Sequence, residues 1–471
     1  MQVPVLNGVY ADAVADFRTS YPRNLVPVPK DTSISKGYLR PADGIVSFAT
    51  GLGPDRGGIN WNGVCYRVSG TKLIRVNASG TVDVLGDVGS GDQAVLDYSF
   101  DALGVASGGR LYFWDGITLK QVTDPDLGTV RSMCWISGYW LCTDGKTLVV
   151  TELNDPFSVN PLKYGSAEGD PDPIMGCDRL RNEAYAIGRH TIEVFQNLGG
   201  SNFPFQRIDG AQVPKGAIGT SAWVCVGNTF AFVGSGRGEA PSVYMMVPGD
   251  TQSISTREID TILQDYTEAE LASIVMECRV NLIHQHVLVH LPDQTLVYDI
   301  AASQVAGEPV WHTWDSGVVE PAQLRARGLT WCYDRWIVGD PTSSSIGVLD
   351  DAVSTHFGAV TGWSFGTTVI YNAGNGAIVH EIELAALPGR VGFGLDPTIW
   401  TSYSLDGQTW SQEQPIKAGV LGQRMKRLAW RRQGKMLNYR MQRFRGTSDA
   451  HITVARLEMQ LEPLFTRPGR G

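Results

Sequence analysis

The sequence is poor in charged residues, in helical patterns and in long apolar runs. Only 18% of its 471 residues are charged, and no apolar run approaches the roughly 20 residues that a membrane-spanning helix needs. The N-terminus, MQVPVLNGVYADAV, has no basic stretch followed by an apolar block, so no signal peptide is expected. These features predict a soluble protein that is made in the cytoplasm.

Cysteine-pairing motifs are missing as well. The seven cysteines are an odd number without a C-x-x-C spacing, and they stand in apolar contexts such as SMCWIS and AWVCVG. Such contexts are typical of buried, reduced thiols. We therefore expect no disulfide framework and a reducing compartment.

The net charge limits the possible partners. At −9, the chain lacks the basic surface that neutralises phosphates in a general nucleic-acid binder. This net charge does not exclude a channel through which DNA passes without binding tightly.

Turn residues and strand-like segments are abundant, with 54 Gly, 24 Pro and 13 Trp. From residue 45 to about residue 351, a unit of strand, turn and strand recurs. The first turns of successive units lie at Gly70, Gly109, Gly138, Asn182, Asn228, Gln285 and Asp334. Their average spacing suits propeller blades of about 40–50 residues. We predict a β-propeller of seven or six degenerate blades over residues 44–352.

Two further regions flank the predicted propeller. Residues 1–43 are interrupted by prolines, which predicts an extended N-terminal arm that lies on another surface. Residues 353–471 carry longer strands and predict a C-terminal β-sandwich-like or jelly-roll domain with its own core. The expected fold class is therefore mainly β.

One passage, at about residues 255–278, has a helical pattern and reads as an insertion at one rim of the propeller. The residues that share one face of its first helix are Ile259, Ile262, Leu263 and Tyr266. Thr267 and Glu270 have the spacing of a capping box. The second helix, which begins there, is expected to carry Leu271, Ile274 and Val275.

The segment GWSFG (362–366) matches the G-x-S-x-G pattern of hydrolases, and Asp396, Asp406 and His451 follow it in the order Ser, Asp, His. A nucleophile elbow needs a helix after the serine, but TTVIYNAG is rich in β-branched residues and then in glycine. We interpret the segment as a Gly-flanked strand turn, and we predict no catalytic residue.

The segment SYSLDGQTW (402–410) resembles one Asp-box hairpin of sialidase propellers. Because Asp406 and Gly407 form a common hairpin turn and the segment lies outside the blades, we interpret it as a turn.

His284, His286 and His290 have even spacings and share one face of a predicted strand. A metal site needs a third ligand and supporting carboxylates, and only Asp293 lies nearby in the sequence. We expect solvent-facing or interface histidines, with no metal and no cofactor.

Basic residues concentrate near the C-terminal end. They are Arg424, Lys426, Arg427, Arg431, Arg432, Lys435, Arg440, Arg443 and Arg445. They could grip DNA phosphates or an acidic partner surface, and a solvated strand face fits equally well. The interleaved aromatic residues are few (Trp430, Tyr439 and Phe444), so base recognition is not expected.

Short segments in order along most of the chain resemble the tail-hub proteins of short-tailed double-stranded DNA phages, the family called packaged DNA stabilisation protein, or nozzle. The matching segments are GYLR (37–40), IEVF (192–195), APSVY (240–244), the helical passage 259–271, VME (275–277), HLP (290–292), LVYD (296–299), ASQ (302–304), the hairpin around Asp406 and WRRQG (430–434).

The resemblance implies a structural virion protein that forms a six-fold ring. Such a ring binds the dodecameric adaptor below the portal, extends the DNA channel and helps to retain the packaged genome. Its expected partners are further copies of the chain, the adaptor, tail fibres or tailspikes, a distal plug or needle, and genomic double-stranded DNA without sequence specificity. Its expected location is the virion tail, after assembly in the bacterial cytoplasm.

By the same resemblance, the N-terminal arm and the C-terminal domain form the platform that faces the adaptor. The propeller forms the body, and the helical insertion points towards the channel or the distal tip. The alternative that we carry is a glycan-binding or sialidase-like propeller, which would act as a receptor-binding protein.

Overall fold

The computed structural model describes residues 1–14, 16–167, 169–200, 202–281 and 283–464, and most of its regular structure is antiparallel β-sheet. The chain begins with six short strands before it enters the first repeated sheet. They are β1 (Gln2–Val3), β2 (Gly8–Ala11), β3 (Phe17–Ser20), β4 (Leu25–Val28), β5 (Tyr38–Pro41) and β6 (Gly44–Thr50).

Seven small sheets then follow one another within the described residues, and we number them blades 1 to 7. Blade 1 contains β7 (Asp55–Trp61), β8 (Val64–Ser69), β9 (Lys72–Val76) and β10 (Val82–Asp87). Blade 2 contains β11 (Val95–Tyr98), β12 (Leu103–Ser107), β13 (Arg110–Trp114) and β14 (Leu119–Gln121). Blade 3 contains β15 (Ser132–Ile136), β16 (Tyr139–Thr143), β17 (Thr147–Glu152) and β18 (Asp155–Ser166).

The remaining blades repeat this arrangement. Blade 4 contains β19 (Ile174–Leu180), β20 (Glu183–Gly188), β21 (Ile192–Asn197) and β22 (Phe205–Arg207). Blade 5 contains β23 (Gly216–Ala217), β24 (Trp223–Val226), β25 (Thr229–Ser235), β26 (Ser242–Val247) and β27 (Asp250–Ser253). Blade 6 contains β28 (Val275–Asn281), β29 (His284–His290), β30 (Thr295–Asp299) and β31 (Trp311–Trp314). Blade 7 contains β32 (Arg327–Cys332), β33 (Arg335–Gly339) and β34 (Ser345–Asp350).

The ring is closed by a strand from the beginning of the chain. β6 pairs antiparallel with β34, with Val46 opposite Val348, and so completes blade 7. A central cavity of about 560 Å³ is lined by every blade. One lining residue from each, in order, is Gly58, Leu96, Met133, Cys177, Val224, Met276 and Leu329. The repeat therefore forms a closed propeller.

Apolar clusters between neighbouring blades hold this ring together. Blades 1 and 2 enclose Leu73 and Leu103, while blades 7 and 1 enclose Ile74, Ile337 and Ile346. Because blade strands are apolar on both faces, each sheet buries side chains against two neighbours. Burial is thus distributed around the ring.

The C-terminal part is a β-sandwich. Its strands are β35 (Gly362–Gly366), β36 (Ile370–Tyr371), β37 (Ala377–Leu387), β38 (Thr398–Ser404), β39 (Gln414–Lys417), β40 (Leu428–Arg431), β41 (Lys435–Met436), β42 (Tyr439–Thr447) and β43 (Thr453–Pro463). One sheet has the order β4-β5-β43-β37-β40, with β1 on β43 and β41 on β37. The facing sheet has the order β35-β42-β38-β39, with β36 on β42.

The first 43 residues contribute to this sandwich. Val3, Leu25 and Leu39 are buried in the same core as Phe365 and Phe444. The surface on which the N-terminal arm lies thus belongs to its own chain. The expected mainly β fold class, with a propeller and a C-terminal sandwich, is confirmed.

Helices lie mainly between blades 5 and 6, as α1 (Arg257–Gln264) and α2 (Glu268–Ala272). The predicted capping box of Thr267 and Glu270 is present. The second helix is shorter than expected, because Val275 already begins β28. A further helix, α3 (Ile300–Ala306), was not predicted; Asp299 caps it by accepting a hydrogen bond from the N–H of Ala302 at 3.1 Å. A 3-10 turn spans Pro125–Leu127.

The cysteines are free thiols. Burial was correctly expected for Cys65, Cys134, Cys142, Cys177 and Cys332. It was wrong for Cys225, which is exposed on the inner strand β24, and Cys278 is half-buried.

No helix among the described residues is long and apolar enough to cross a membrane.

Candidate interaction surface

The basic residues of the C-terminal domain do not form one patch. β40 and β41 belong to the first sheet of the sandwich, whereas β42 belongs to the facing sheet. Neighbours in the sequence therefore end up on opposite sides of the domain.

On the outer face of the first sheet, the arginines are paired with glutamates. Glu381 of β37 lies opposite Arg431 of β40, and Arg431 Nε donates to Glu381 at 3.0 Å. Arg427 bonds both Glu381 and Glu383, and its hydrogen bond lowers the pKa of Glu383. Exposed pairs like these contribute little to stability. They do give this face a mixed charge.

On the outer face of the second sheet, the arginines stack on tryptophans. The Arg443 guanidinium lies 4.5 Å from the ring centroid of Trp410, and that of Arg445 lies 4.6 Å from Trp400. Arg445 also forms an ion pair with Glu413, whose pKa it lowers. Such cation–π contacts hold the guanidinium planes in place. The sequence analysis missed both tryptophans because they come from other strands.

Arg440 must be removed from the set of surface candidates. It is fully buried, lies 3.9 Å from the ring centroid of Tyr403 and donates to the amide oxygen of Gln442 at 2.9 Å. Burial lowers its pKa to about 10. Even residues of β42 point into the core, so Arg440 supports the interior and cannot contact a partner.

Six of the nine basic residues form no ion pair within the part of the chain that the structure describes. Arg440 and Arg443 stack on aromatic rings instead, which leaves Arg424, Lys426, Arg432 and Lys435. Arg424 and Lys426 lie in the loop before β40, next to the loop that follows β37. The two loops meet where the N–H of Gly422 donates to the carbonyl of Gly389 at 3.1 Å.

Large apolar side chains project from these same two loops. Phe393 and Met425 are each 94% exposed, and Leu395 and Leu421 are also exposed. Exposed apolar residues beside unpaired cations are typical of protein–protein contact sites. The sequence analysis missed these residues because a loop has no periodicity to mark an exposed side chain.

The hairpin around Asp406 is a turn, as predicted. Asp406 accepts hydrogen bonds from the hydroxyl of Thr409 and from the N–H groups of Thr409 and Gln408, the last two at 2.8 and 2.9 Å. Together they strongly lower its pKa. Gly407 has a φ of 82°, and its carbonyl accepts from the N–H of Ala11 at 3.1 Å. β2 and β3 pair as an antiparallel hairpin, which therefore covers this turn.

The GWSFG segment is strand β35 rather than a strand turn, and it is not followed by the helix of a nucleophile elbow. Ser364 lies in mid-strand opposite Arg445. His451 bonds the hydroxyl of Ser354 at 2.7 Å instead.

The three histidines of β29 are buried, so the solvent-facing expectation was wrong. His290 bonds Glu277 and Thr295, at 3.0 Å each. His284 and His286 share Asp299 of the neighbouring strand, and these three residues form a group that could hold a metal ion. Asp299 was missed because strand pairing, rather than sequence distance, brings it to the histidines.

Comparison with known families gives matches to both parts of the chain. A family model described as bacteriophage P22 Gp10, beta-propeller, matches residues 1–354. A second, described as bacteriophage P22 Gp10, beta-sandwich, matches residues 362–462. A curated relative, the tail hub protein gp10 of Salmonella phage P22, is 28% identical over 487 residues, covering 98% of this chain and 99% of that protein.

Solved structures give weaker similarities. The WD40 domain of Pan2 from Neurospora crassa has a TM-score of 0.41 at 11% identity, and covers 66% of this chain and 95% of that chain. A computationally designed protein, Ika8, has a TM-score of 0.37 at 13% identity, with 65% and 99% covered. Similarities at this level carry no functional argument.

Proposed function

Because the chain belongs to the bacteriophage P22 Gp10 family in both its propeller and its sandwich, we propose that it is the tail hub of a short-tailed double-stranded DNA phage. The observation that carries this proposal is the near full-length match to a tail hub protein. The role is structural rather than enzymatic. Its place is the virion tail, after assembly in the host cytoplasm.

We further propose that six copies form a ring that docks below the portal and its dodecameric adaptor. The ring extends the DNA channel, stabilises the packaged genome, and anchors fibres or spikes and a distal plug. The net charge of −9 supports a channel that lets DNA pass, because dense phosphate contacts would slow ejection.

The sandwich is the proposed platform towards the adaptor. Its two exposed loops carry Phe393 and Met425 beside Arg424 and Lys426, which suits a partner with an apolar and acidic surface. The glycan-binding alternative is not favoured, since the Asp-box-like turn is covered by the hairpin around Ala11.

Particle mass tests the hub proposal. Native mass spectrometry would be recorded for the chain alone and after mixing with the adaptor–portal complex of the same phage. We expect a shift that corresponds to six added chains per portal assembly. A chain that stays monomeric and does not bind the portal complex contradicts the proposal.

Point substitutions test the platform surface. The double variant Phe393→Asp with Met425→Asp should fold normally, because both side chains are exposed, and should lose binding to the adaptor–portal complex. The matched control is Ile117→Asp, an 84% exposed apolar residue on the propeller. If the double variant binds the adaptor–portal complex as well as the control does, the two loops are not the contact surface.

A further inference from the structure

A cluster of imidazoles and one carboxylate lies inside blade 6, outside the proposed platform. His284 and His286 lie on β29, Asp299 lies opposite His286 on β30, and His312 lies on β31. All four side chains are buried. Cross-strand pairing places them on one face of the sheet, which packs against blade 7.

The spacing of the possible donor atoms suits a metal ion. His284, His286 and Asp299 each offer one ligand atom, and these atoms lie within 4.8 Å of one another. His286 Nε2 is 3.4 Å from Asp299 Oδ2, and His284 Nδ1 is 2.5 Å from the same oxygen. The ring centroid of His312 lies 5.3 Å from that of His286.

The carboxylate is held in place by the backbone. Asp299 Oδ1 accepts from the N–H of Ala302 at 3.1 Å and from that of Gln285 at 3.3 Å. Outer contacts of this kind orient the ligands of metal sites. The carboxylate is therefore oriented before any ion binds.

Polar atoms in this cluster have no hydrogen-bond partner among the described residues. They are Nε2 of His284 and both ring nitrogens of His286 and of His312. Buried polar atoms are nearly always satisfied, so several bare imidazole nitrogens in one place need an explanation. A bound cation would accept one lone pair from each imidazole that binds it.

The charges around Asp299 also favour a bound cation. The nearest cations, Arg279 and Arg40, both bind Asp43, at 2.5 Å each. Across the described ranges, Asp299 has only histidines as ion-pair partners. A buried carboxylate is costly without a positive partner, and a divalent ion would supply one.

We propose that His284, His286 and Asp299 bind a divalent transition-metal ion. Two imidazoles with one carboxylate are a donor set that suits Zn²⁺. The ion would join β29 to β30 beside Asp43, which directly precedes the closing strand β6. Its role would be to stabilise the closed propeller.

Metal content and metal binding test this proposal in the full chain without a histidine tag. After dialysis against a chelator, Zn²⁺ would be titrated by calorimetry. We expect about one equivalent per chain and a melting temperature that rises on rebinding. The variants His286→Gln and Asp299→Asn should lose this equivalent.

The matched control is His290→Gln, a buried histidine of the same strand that bonds Glu277 and Thr295. It should keep the stoichiometric ion. Since core variants can misfold, Co²⁺ would also be added to the unmodified chain, where its visible absorption reports imidazole and carboxylate coordination. Failure of the unmodified chain to bind Zn²⁺ or Co²⁺ stoichiometrically, or retention by folded His286→Gln, overturns the proposal.

Discussion

At the scale of single residues, one buried ion pair joins the first and last blades. Arg67 donates to both carboxylate oxygens of Asp55, at 2.7 and 2.8 Å, and to the carbonyl of Gly328 in blade 7 at 2.9 Å. Arg67→Ala would leave Asp55 buried without its partner. We expect the free energy of unfolding, measured by denaturant titration, to fall by about 3–5 kcal/mol.

The control for this change lies on the same blade. Arg75 pairs with Asp83 at 2.8 Å, but both side chains are exposed. Arg75→Ala should cost only about 0–1 kcal/mol, because water replaces the lost partner. Similar losses from the two substitutions would contradict the importance assigned to burial.

A second residue, His356, should make stability depend on pH. Burial lowers its pKa from 6.5 to about 4, and its ring bonds the hydroxyl of Ser316 at 2.8 Å. Between these two values the unfolded chain binds the proton and the folded chain does not. Stability should therefore fall as pH drops from 6.5 to 4, by up to about 3 kcal/mol from this residue.

The measurement is the free energy of unfolding across that pH range. His356→Gln should give a shallower slope than the unmodified chain, while exposed His380→Gln should change it little. Other buried histidines contribute to the same window, so the comparison is between slopes. An unchanged slope in His356→Gln would refute the assignment.

At the scale of elements, the sequence predicted the features that depend only on neighbouring residues. The capping box at Thr267 is found where the sequence placed it, since it needs only four residues. The helix α3 was missed because Val297 and Tyr298 read as a strand and the chain turns helical directly after Asp299. Nothing in the proline-rich start showed that β4 and β5 would join a sheet with β43, over 400 residues away in the sequence.

The N-terminal strands should therefore matter for the stability of the sandwich. Leu39 of β5 is completely buried in its core. Leu39→Ala should lower the free energy of unfolding by about 2–5 kcal/mol, whereas Ile34→Ala, at an exposed position of the same segment, should have almost no effect. A result near zero for Leu39→Ala would mean that the sandwich folds without the N-terminal segment.

Because the N-terminal strands are part of the sandwich, a deletion of these strands is a poor test of docking. Deleting residues 1–40 removes β1 to β4 and nearly all of β5, and with them Val3, Leu25 and Leu39 of the sandwich core. It also removes Tyr21, whose hydroxyl bonds Thr256, the N-cap of α1. Lost docking after such a deletion would report misfolding as readily as a lost contact, so point changes on the surface are the sharper test.

At the scale of the whole molecule, the repeated strand–turn–strand unit predicted the propeller. Turns at Gly70 and Gly138 mark blades 1 and 3, and the repeat yields a propeller even though the spacings are uneven. The surface contacts could not be predicted in this way, because they join residues of strands that are distant in the sequence. Arg445 meets Trp400 only through the pairing of β42 with β38.

The basic face of the first sheet gives the last prediction. Arg431 pairs with Glu381, while Arg432 and Lys435 have no ion-pair partner in the described part of the chain. Reversing all three to Glu would leave this face strongly acidic beside Glu381 and Glu383. We expect weaker binding to the adaptor–portal complex and leakage of packaged DNA, with both effects larger at low ionic strength.

The measurements are co-sedimentation with the adaptor–portal complex and nuclease-sensitive DNA in assembled particles. The reversals should not unfold the chain, because all three side chains are exposed. The matched control reverses Lys72, Arg75 and Lys120, which are basic residues of the propeller surface. If docking and genome retention are unchanged in the sandwich variant, these strands are a solvated face. If only the sandwich variant fails, the first sheet of the sandwich faces the adaptor or the last packaged DNA.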